Sequence, residues 1–87
     1  MPEISRFFGI IITMYADDHN PPHFHARHGD YRSMIDIVTG DIIAGDMPQR
    51  ALRLIQAWGE IHREELMGNW KESQKENPNF SKIEPLR

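Results

Sequence analysis

The stretch His-Phe-His-Ala-Arg-His-Gly-Asp-Tyr-Arg-Ser-Met-Ile-Asp, residues 23–36, decides the fold because it predicts a β-hairpin of defined register. The pair Gly29-Asp30 is typical of a two-residue type II′ turn, in which glycine takes the first central position. This turn places residues 23–28 opposite residues 31–36, read outward from the bend. The hairpin therefore determines which side chains share a face of the sheet.

Alternation along the two strands sorts the hairpin into an apolar face and an outer face. The apolar face holds Phe24, Ala26 and Ile35, with His28 and Tyr31 at its end. We expect this face to pack against a helix. The outer face holds the remaining residues: His23, His25, Arg27, Arg32, Met34 and Asp36.

Two further strands are predicted to flank the hairpin. Residues 10–16 form a short β-branched run, and residues 41–45 follow a second tight turn at positions 39–40. Residues 17–22 read as a loop because they contain two consecutive prolines. Since sequential strands tend to be neighbours, the simplest arrangement is an antiparallel meander.

The second tight turn, at positions 39–40, predicts the pairing of the last strand. It places Ile37 opposite Ile42 and Ile35 opposite Ala44, both on the apolar face. A sheet covered by one helix is expected to have a polar second face. A partner protein or a second copy of the chain is therefore predicted to cover three apolar residues of the outer face, although scattered exposed apolar residues are the alternative. These candidate interface residues are Met34, Val38 and Ile43.

Residues 46–75 predict one long helix, with Asp46 as its N-cap and only Gly59 and Gly68 weakening it. The fold predicted for residues 1–87 is thus a single α+β domain, in which a four-stranded antiparallel β-meander carries one long C-terminal helix on one face. The helix presents a broad stripe at a spacing of 3.6 residues. That stripe comprises Ala51, Leu54, Ile55, Trp58, Ile61, His62, Glu65, Leu66 and Asn69.

Composition limits the classes of function. The chain has 87 residues, no cysteine and a net charge of −3 with histidines neutral. Disulfides and thiolate metal sites are excluded, and net acidity disfavours general nucleic-acid binding while leaving RNA binding at a local basic patch open. No apolar run approaches the ~20 residues of a membrane span. Without a signal-peptide pattern, we expect a cytoplasmic protein with no membrane association.

Three histidines and one aspartate are the candidate metal ligands. His23 and His25 share the outer face with Asp36, and His19 lies in the preceding loop. Two imidazoles and a carboxylate are a common ligand set for zinc or iron, and the same two histidines are candidate catalytic residues. His-x-His alone is a weak motif, so a solvated or partner-facing strand edge is the alternative. No cofactor is otherwise indicated.

A second polar group lies towards the helix. His62 and Glu65 fall on the helical stripe, and His28 is placed at the end of the apolar face. These three residues are predicted to form a hydrogen-bonded polar group or an acid–base pair. The alternative is a half-buried histidine whose partner is a backbone carbonyl or Glu65.

Arg27 and Arg32 are candidate anion-binding residues. The hairpin register places them directly opposite each other, where like charges are unfavourable. A bound phosphate would relieve that repulsion, as in an RNA-cleaving site. The alternative is two long side chains that splay apart in water.

Several segments spread over nearly the whole chain resemble one small prokaryotic family, catalogued as domain of unknown function 4160. Its most specific element is the motif Pro-Pro-His-Phe-His. The segments that carry the resemblance are residues 1–9, 14–15, 18–26, 48–51, 62–66, 69–70 and 82–86. The resemblance brings no established reaction or catalytic residue. It implies a gene that lies beside that of another small protein, in the manner of toxin–antitoxin-like pairs.

These observations lead to two main hypotheses. The first is a small interaction or regulatory module, acting with a protein partner encoded nearby or as a homo-oligomer, and plausibly one half of a toxin–antitoxin-like pair. The second is an RNase-like or metal-dependent hydrolase that uses the histidine-rich strand. A DNA-binding regulator is a weaker third reading, because the chain is acidic and lacks a helix-turn-helix. Whether the protein is an enzyme stays open at this point.

Overall fold

The computed structural model describes residues 3–87, which form one five-stranded antiparallel sheet followed by two helices. The strands lie side by side in chain order, so the sheet is a meander. The α+β class is as predicted, but the structure has one more strand and one more helix than expected. The elements are β1 (Glu3–Phe7), β2 (Ile10–Thr13), β3 (His23–His28), β4 (Tyr31–Asp36), β5 (Ile42–Gly45), α1 (Gln49–Ile61) and α2 (Arg63–Ser73).

The central hairpin has the predicted register. All six pairs between β3 and β4 occur, from His28 opposite Tyr31 at the turn to His23 opposite Asp36 at the far end. Gly29 has a φ of 60°, as the first central position of a type II′ turn requires. The predicted core residues of the hairpin are 1–2% exposed: Phe24, Ala26 and Ile35.

Strand β1 was not predicted. It pairs with β2 through a turn in which both Phe8 and Gly9 have positive φ, at 49° and 77°. A bulge between Glu3 and Ser5 makes Ile4 and Ser5 consecutive buried residues. This bulge removes the two-residue alternation by which a strand is recognised from sequence.

The pairing of β5 differs from the prediction. A bulge between Met34 and Ile35 puts Ile35 opposite Ile42 and Met34 opposite Ala44, so the predicted pairing of Ile35 with Ala44 is wrong. The cause is a turn longer than two residues, in which residue 36 bonds the backbone of residues 40 and 41. Extra turn residues shift every later pair.

Helix α1 covers the apolar face of the sheet. Its Trp58 is fully buried and packs on Phe7 and Phe24, with ring centroids 5.3 and 5.7 Å away. The predicted N-cap is wrong: Pro48 occupies the N-cap position, and the Asp46 carboxylate instead accepts a hydrogen bond from the Met47 N–H. Within residues 3–87, neither helix is long and apolar enough to cross a membrane.

The predicted long helix is broken at His62, where φ is −109° and ψ is 23°. Gly59 and Gly68, the expected weak points, both lie inside helices. The break leaves Ile61 and Glu65 exposed, contrary to the predicted stripe. Helix α2 buries four of its residues, and one of them, Trp70, contacts His23 at the start of β3. The four are Leu66, Asn69, Trp70 and Ser73.

The chain after α2 returns to the sheet. Asn69 holds this tail through two hydrogen bonds of 2.9 Å with the backbone N–H and carbonyl of Ser81. The Ile83 N–H then donates to the Ile4 carbonyl at 2.8 Å, which covers part of the β1 edge. The tail thereby fixes the orientation of α2 relative to the sheet.

Candidate metal centre

Three potential ligand atoms converge at the start of β3. Asp18 Oδ2 lies 3.0 Å from His23 Nε2 and 3.1 Å from His25 Nε2. One ligand atom from each residue lies within 4.8 Å of both others. Ligands bound about 2.0–2.1 Å from a tetrahedral zinc ion are separated by roughly 3.3 Å. The two distances from Asp18 Oδ2 to the imidazole nitrogens are therefore close to the spacing of neighbouring ligands in a coordination shell.

His23 is the buried member of this cluster, with 2% of its surface exposed. Its Nδ1–H donates to the Pro21 carbonyl oxygen at 2.8 Å, since a carbonyl can only accept. In the neutral ring the lone pair is then on Nε2, which has no hydrogen-bond partner among residues 3–87 despite its closeness to Asp18. A buried nitrogen lone pair facing a carboxylate oxygen is unfavourable unless a proton or a cation lies between them.

The hydrogen bond from His23 Nδ1 has a second consequence. Histidines that bind metals usually donate the other ring N–H to a carbonyl or carboxylate, which fixes the tautomer and the ring plane. The Trp70 ring packs against His23 at a centroid distance of 5.3 Å and closes the buried side. His23 is thus held in the orientation and tautomer of a ligand.

His25 and Asp18 form the accessible side of the cluster. Their side chains are 28% and 24% exposed, and His25 Nε2–H donates to Asp18 Oδ2 at 3.1 Å. The Tyr15 ring meets the His25 ring edge-on at 4.6 Å. Burial would raise the pKa of Asp18, but the hydrogen bond from His25 and the electrostatic influence of the adjacent His23 and His25 side chains hold it below its usual value. The carboxylate is therefore ionised and available as a ligand.

Helix α2 positions Asp18, although the two are far apart in sequence. The Asp17 N–H donates to the Ser73 carbonyl at 2.8 Å, and the Gln74 side-chain amide donates to the Asp18 carbonyl at 3.1 Å. Asp17 has a φ of 60°, a conformation that aspartate tolerates in turns. The end of α2 thus fixes the loop that carries the carboxylate.

Within residues 3–87, the structure brings His23 and His25 into the cluster but not Asp36 or His19. Asp36 lies opposite His23 in the register, but its Oδ1 accepts hydrogen bonds from the Val38 and Thr39 N–H groups of the following turn. His19 is exposed and, within residues 3–87, is not a member of the ligand cluster. Asp18, which reads from sequence as a turn residue, is the carboxylate that meets the histidines.

In the structure, His28 lies apart from His62 and Glu65, with which it was predicted to form a second polar group. His62 Nδ1 lies 2.6 Å from Glu65 Oε1, so this pair forms as expected. His28 is not part of it, because its Nδ1–H donates to the Gly9 carbonyl at 3.1 Å. It lies beside the first turns of α1, near Pro48, whereas His62 is at the opposite end of that 13-residue helix.

His25 also lines a groove of about 390 Å³ on the outer face of the sheet. Arg27 and Arg32 lie directly opposite each other in it, as the register predicts. The groove is otherwise mostly apolar. Its principal lining residues are Ile11, Tyr15, His25, Arg27, Arg32 and Met34.

The three predicted interface residues do not have equivalent positions. Met34 lines the groove, where its partner across the sheet is Ala44. Val38 lies in the turn after β4 and is 56% exposed, and Ile43 lies at the β5 bulge and is 42% exposed. The last two lie by the free edge of the sheet formed by β5.

A comparison with known protein families identifies the chain. The sequence model described as Domain of unknown function (DUF4160) matches residues 9–71. The chain belongs to this family. The matched segment of this DUF4160 protein runs from β2 into α2 and contains Asp18, His23 and His25. No curated protein and no solved structure gives a significant match.

Chemically, the cluster in this DUF4160 protein can bind one divalent cation through two imidazole nitrogens and one carboxylate oxygen. This donor set suits Zn²⁺ or Fe²⁺. Three protein ligands leave at least one coordination position for water or substrate, which is typical of catalytic rather than structural sites. Of the three ligands, His25 also lines the groove on the outer face of the sheet.

Proposed function

We propose that this DUF4160 protein is a metal-dependent hydrolase whose centre is Asp18, His23 and His25. The observation that carries the proposal is the buried His23 Nε2, which has no hydrogen-bond partner among the described residues and lies 3.0 Å from the carboxylate oxygen that His25 also contacts. A divalent cation at this point would bind all three atoms. It would convert an unfavourable contact into coordination bonds.

The position of the cluster supports a catalytic use of the metal. A coordinated water molecule loses a proton near neutral pH and becomes a nucleophile. Here one of the three ligands, His25, lines a groove that also carries Arg27 and Arg32. The proposed activity is therefore hydrolysis of an ester-type bond of a substrate in this groove, for which a cation held by Asp18, His23 and His25 would activate the attacking water.

The test is activity of the metal-depleted protein after reloading with Zn²⁺, Mn²⁺ or Fe²⁺. Two chromogenic substrates are used, 4-nitrophenyl acetate and bis(4-nitrophenyl) phosphate. We expect metal-dependent turnover of at least one substrate by the wild type and none by Asp18→Asn. The control is His28→Ala, which removes a histidine of the same strand outside the cluster and is expected to retain full activity. Equal turnover by the wild type and Asp18→Asn would contradict the proposal.

A second candidate function is the interaction module of a toxin–antitoxin-like pair. The observation that favours it is the free β5 edge, beside which Val38 and Ile43 are more than 40% exposed. Exposed strand edges are templates for pairing with another chain. Co-expression with the product of the neighbouring gene tests it. We expect co-purification with the wild type and its loss with Ile43→Lys, and an unchanged yield of complex would contradict this assignment.

A further inference from the structure

Arg27 and Arg32 are two opposed cations that form no ion pair within residues 3–87. Directly opposite residues of antiparallel strands have Cα atoms about 4.5–5.5 Å apart, and both side chains are exposed on the same face. Within residues 3–87, no carboxylate lies within 4.0 Å of either guanidinium. Like charges in this arrangement repel, and a bound anion would remove that cost.

An acidic group on this face is already bound by another arginine. Glu3 lies on β1 opposite Thr13, and its two carboxylate oxygens accept hydrogen bonds from Arg6 at 2.7 and 3.2 Å. The hydrogen bond from Arg6 is the main cause of the lowered pKa of Glu3, and attraction to Arg27 is a smaller one. A chain with a net charge of −3 thus has a locally cationic groove.

The walls of the groove define the rest of the ligand. Ile11 lies beside Arg27 on the neighbouring strand β2, and the next row of the same face holds His25, Met34 and Ala44. An inorganic anion would leave these surfaces in contact with water, whereas an anion with a flat apolar substituent would cover them. His25 is two residues from Arg27 along β3, a Cα separation of roughly 7 Å. One arm of such a ligand would therefore reach the proposed metal centre.

We infer that the groove binds a phosphodiester, an inference that rests on the proposed function and names its substrate class. The two non-bridging oxygens match two guanidinium groups, which bind phosphate by paired hydrogen bonds. One ester arm lies against Ile11, and the other lies on the row formed by His25, Met34 and Ala44. Hydrolysis adds the oxygen of water to phosphorus and breaks one P–O ester bond. The alcohol released takes one proton of that water, and the phosphate monoester keeps the other.

The test measures binding of diphenyl phosphate to the metal-free protein by calorimetric titration, so that it does not depend on the metal centre. We expect saturable binding by the wild type and at least about tenfold weaker binding by the Arg27→Gln, Arg32→Gln double variant, since each lost group made charge-assisted hydrogen bonds. Arg50→Gln, which changes an exposed arginine beside the first turn of α1, is the matched control and keeps the wild-type affinity. Dimethyl phosphate, the same anion without rings, is expected to bind more weakly than diphenyl phosphate.

Two results would overturn the inference. One is no saturable binding of diphenyl phosphate up to about 10 mM, and the other is equal affinity in the wild type and the double variant. Arg27 and Arg32 are both exposed, so the double variant is expected to fold like the wild type, which circular dichroism would verify. Loss of metal binding or of hydrolysis with diester binding retained would contradict only the proposed function, which keeps the two failures distinguishable.

Discussion

Two histidine–carboxylate groups in this protein have similar distances and very different settings. His62 and Glu65 are three residues apart at the start of α2, with 2.6 Å between Nδ1 and Oε1, and the Glu65 side chain is 53% exposed. Asp18 meets His23 and His25 at 3.0 and 3.1 Å, and His23 is almost completely buried. The first group is local, whereas the second joins a loop, a strand and the end of a helix.

The comparison teaches that distance alone does not define a site. The helical pair satisfies itself, because one imidazole N–H meets one solvated carboxylate. In the cluster at the start of β3, two imidazoles face a single carboxylate oxygen, and the buried one has no hydrogen bond at Nε2 within the described residues. Folding creates the second arrangement against an electrostatic cost, which is typical of functional sites.

The largest expected effects concern the tryptophan that packs on each group. Trp70 packs against His23, and Trp58 packs against His62. Replacing either by alanine leaves a cavity and is expected to cost about 3–5 kcal/mol of unfolding free energy, measured by urea denaturation.

The milder variants Trp70→Phe and Trp58→Phe are compared for zinc affinity. Only Trp70→Phe is expected to weaken zinc binding, and an equal loss in both variants would contradict the separation of the two groups.

Asp18→Asn is the next largest change. It keeps the shape of the side chain but removes the anionic ligand, so we expect zinc affinity to fall by at least roughly 100-fold. Isothermal titration of metal-depleted protein measures this. Glu65→Gln is the matched control in the other group and is expected to bind zinc as tightly as the wild type. A comparable loss in Glu65→Gln would show that zinc binds at the helical pair instead.

Zinc should also stabilise the fold through the same cluster. A ligand present at about 100 times its Kd adds roughly 2.7 kcal/mol to the unfolding free energy. For a domain of this size, that corresponds to a rise in Tm of roughly 10–20 °C, measured by differential scanning calorimetry and reversed by a chelator. The rise should be absent in Asp18→Asn and complete in Glu65→Gln. An equal rise in both would assign the stabilisation to another part of the surface.

The smallest effect is expected at the helical pair itself. Exposed ion pairs contribute about 0–1 kcal/mol, so Glu65→Gln should change the free energy of unfolding by no more than that. Urea denaturation near neutral pH is the measurement. A loss above about 2 kcal/mol would mean that the pair has a structural role beyond a local contact on α2.

The sequence predicted the hairpin of β3 and β4 completely, because one glycine-containing turn determines six pairs. It did not predict β1, where a bulge removes alternation, or the helix break at His62, which has no glycine or proline to mark it. The break depends on contacts distant in sequence, including Trp70 on His23 and the Asn69 hydrogen bonds to Ser81. Such contacts override local propensity.

The site was predicted in part for the same reason. His23 and His25 share a face by strand alternation, and Arg27 lies opposite Arg32 by register, so these placements follow from the turn at Gly29. The carboxylate did not follow, because Asp18 reaches the histidines only through the path of a loop held by the end of α2. The sequence feature that could have indicated Asp18 as a ligand is its place, as an acidic residue, in the short loop that leads into β3.

The most direct measurement is anomalous diffraction at the zinc edge from crystals of the zinc-loaded protein. The account predicts one strong peak about 2.0–2.2 Å from His23 Nε2, His25 Nε2 and Asp18 Oδ2. Zinc bound at His62 and Glu65, or no zinc at the start of β3, would contradict it.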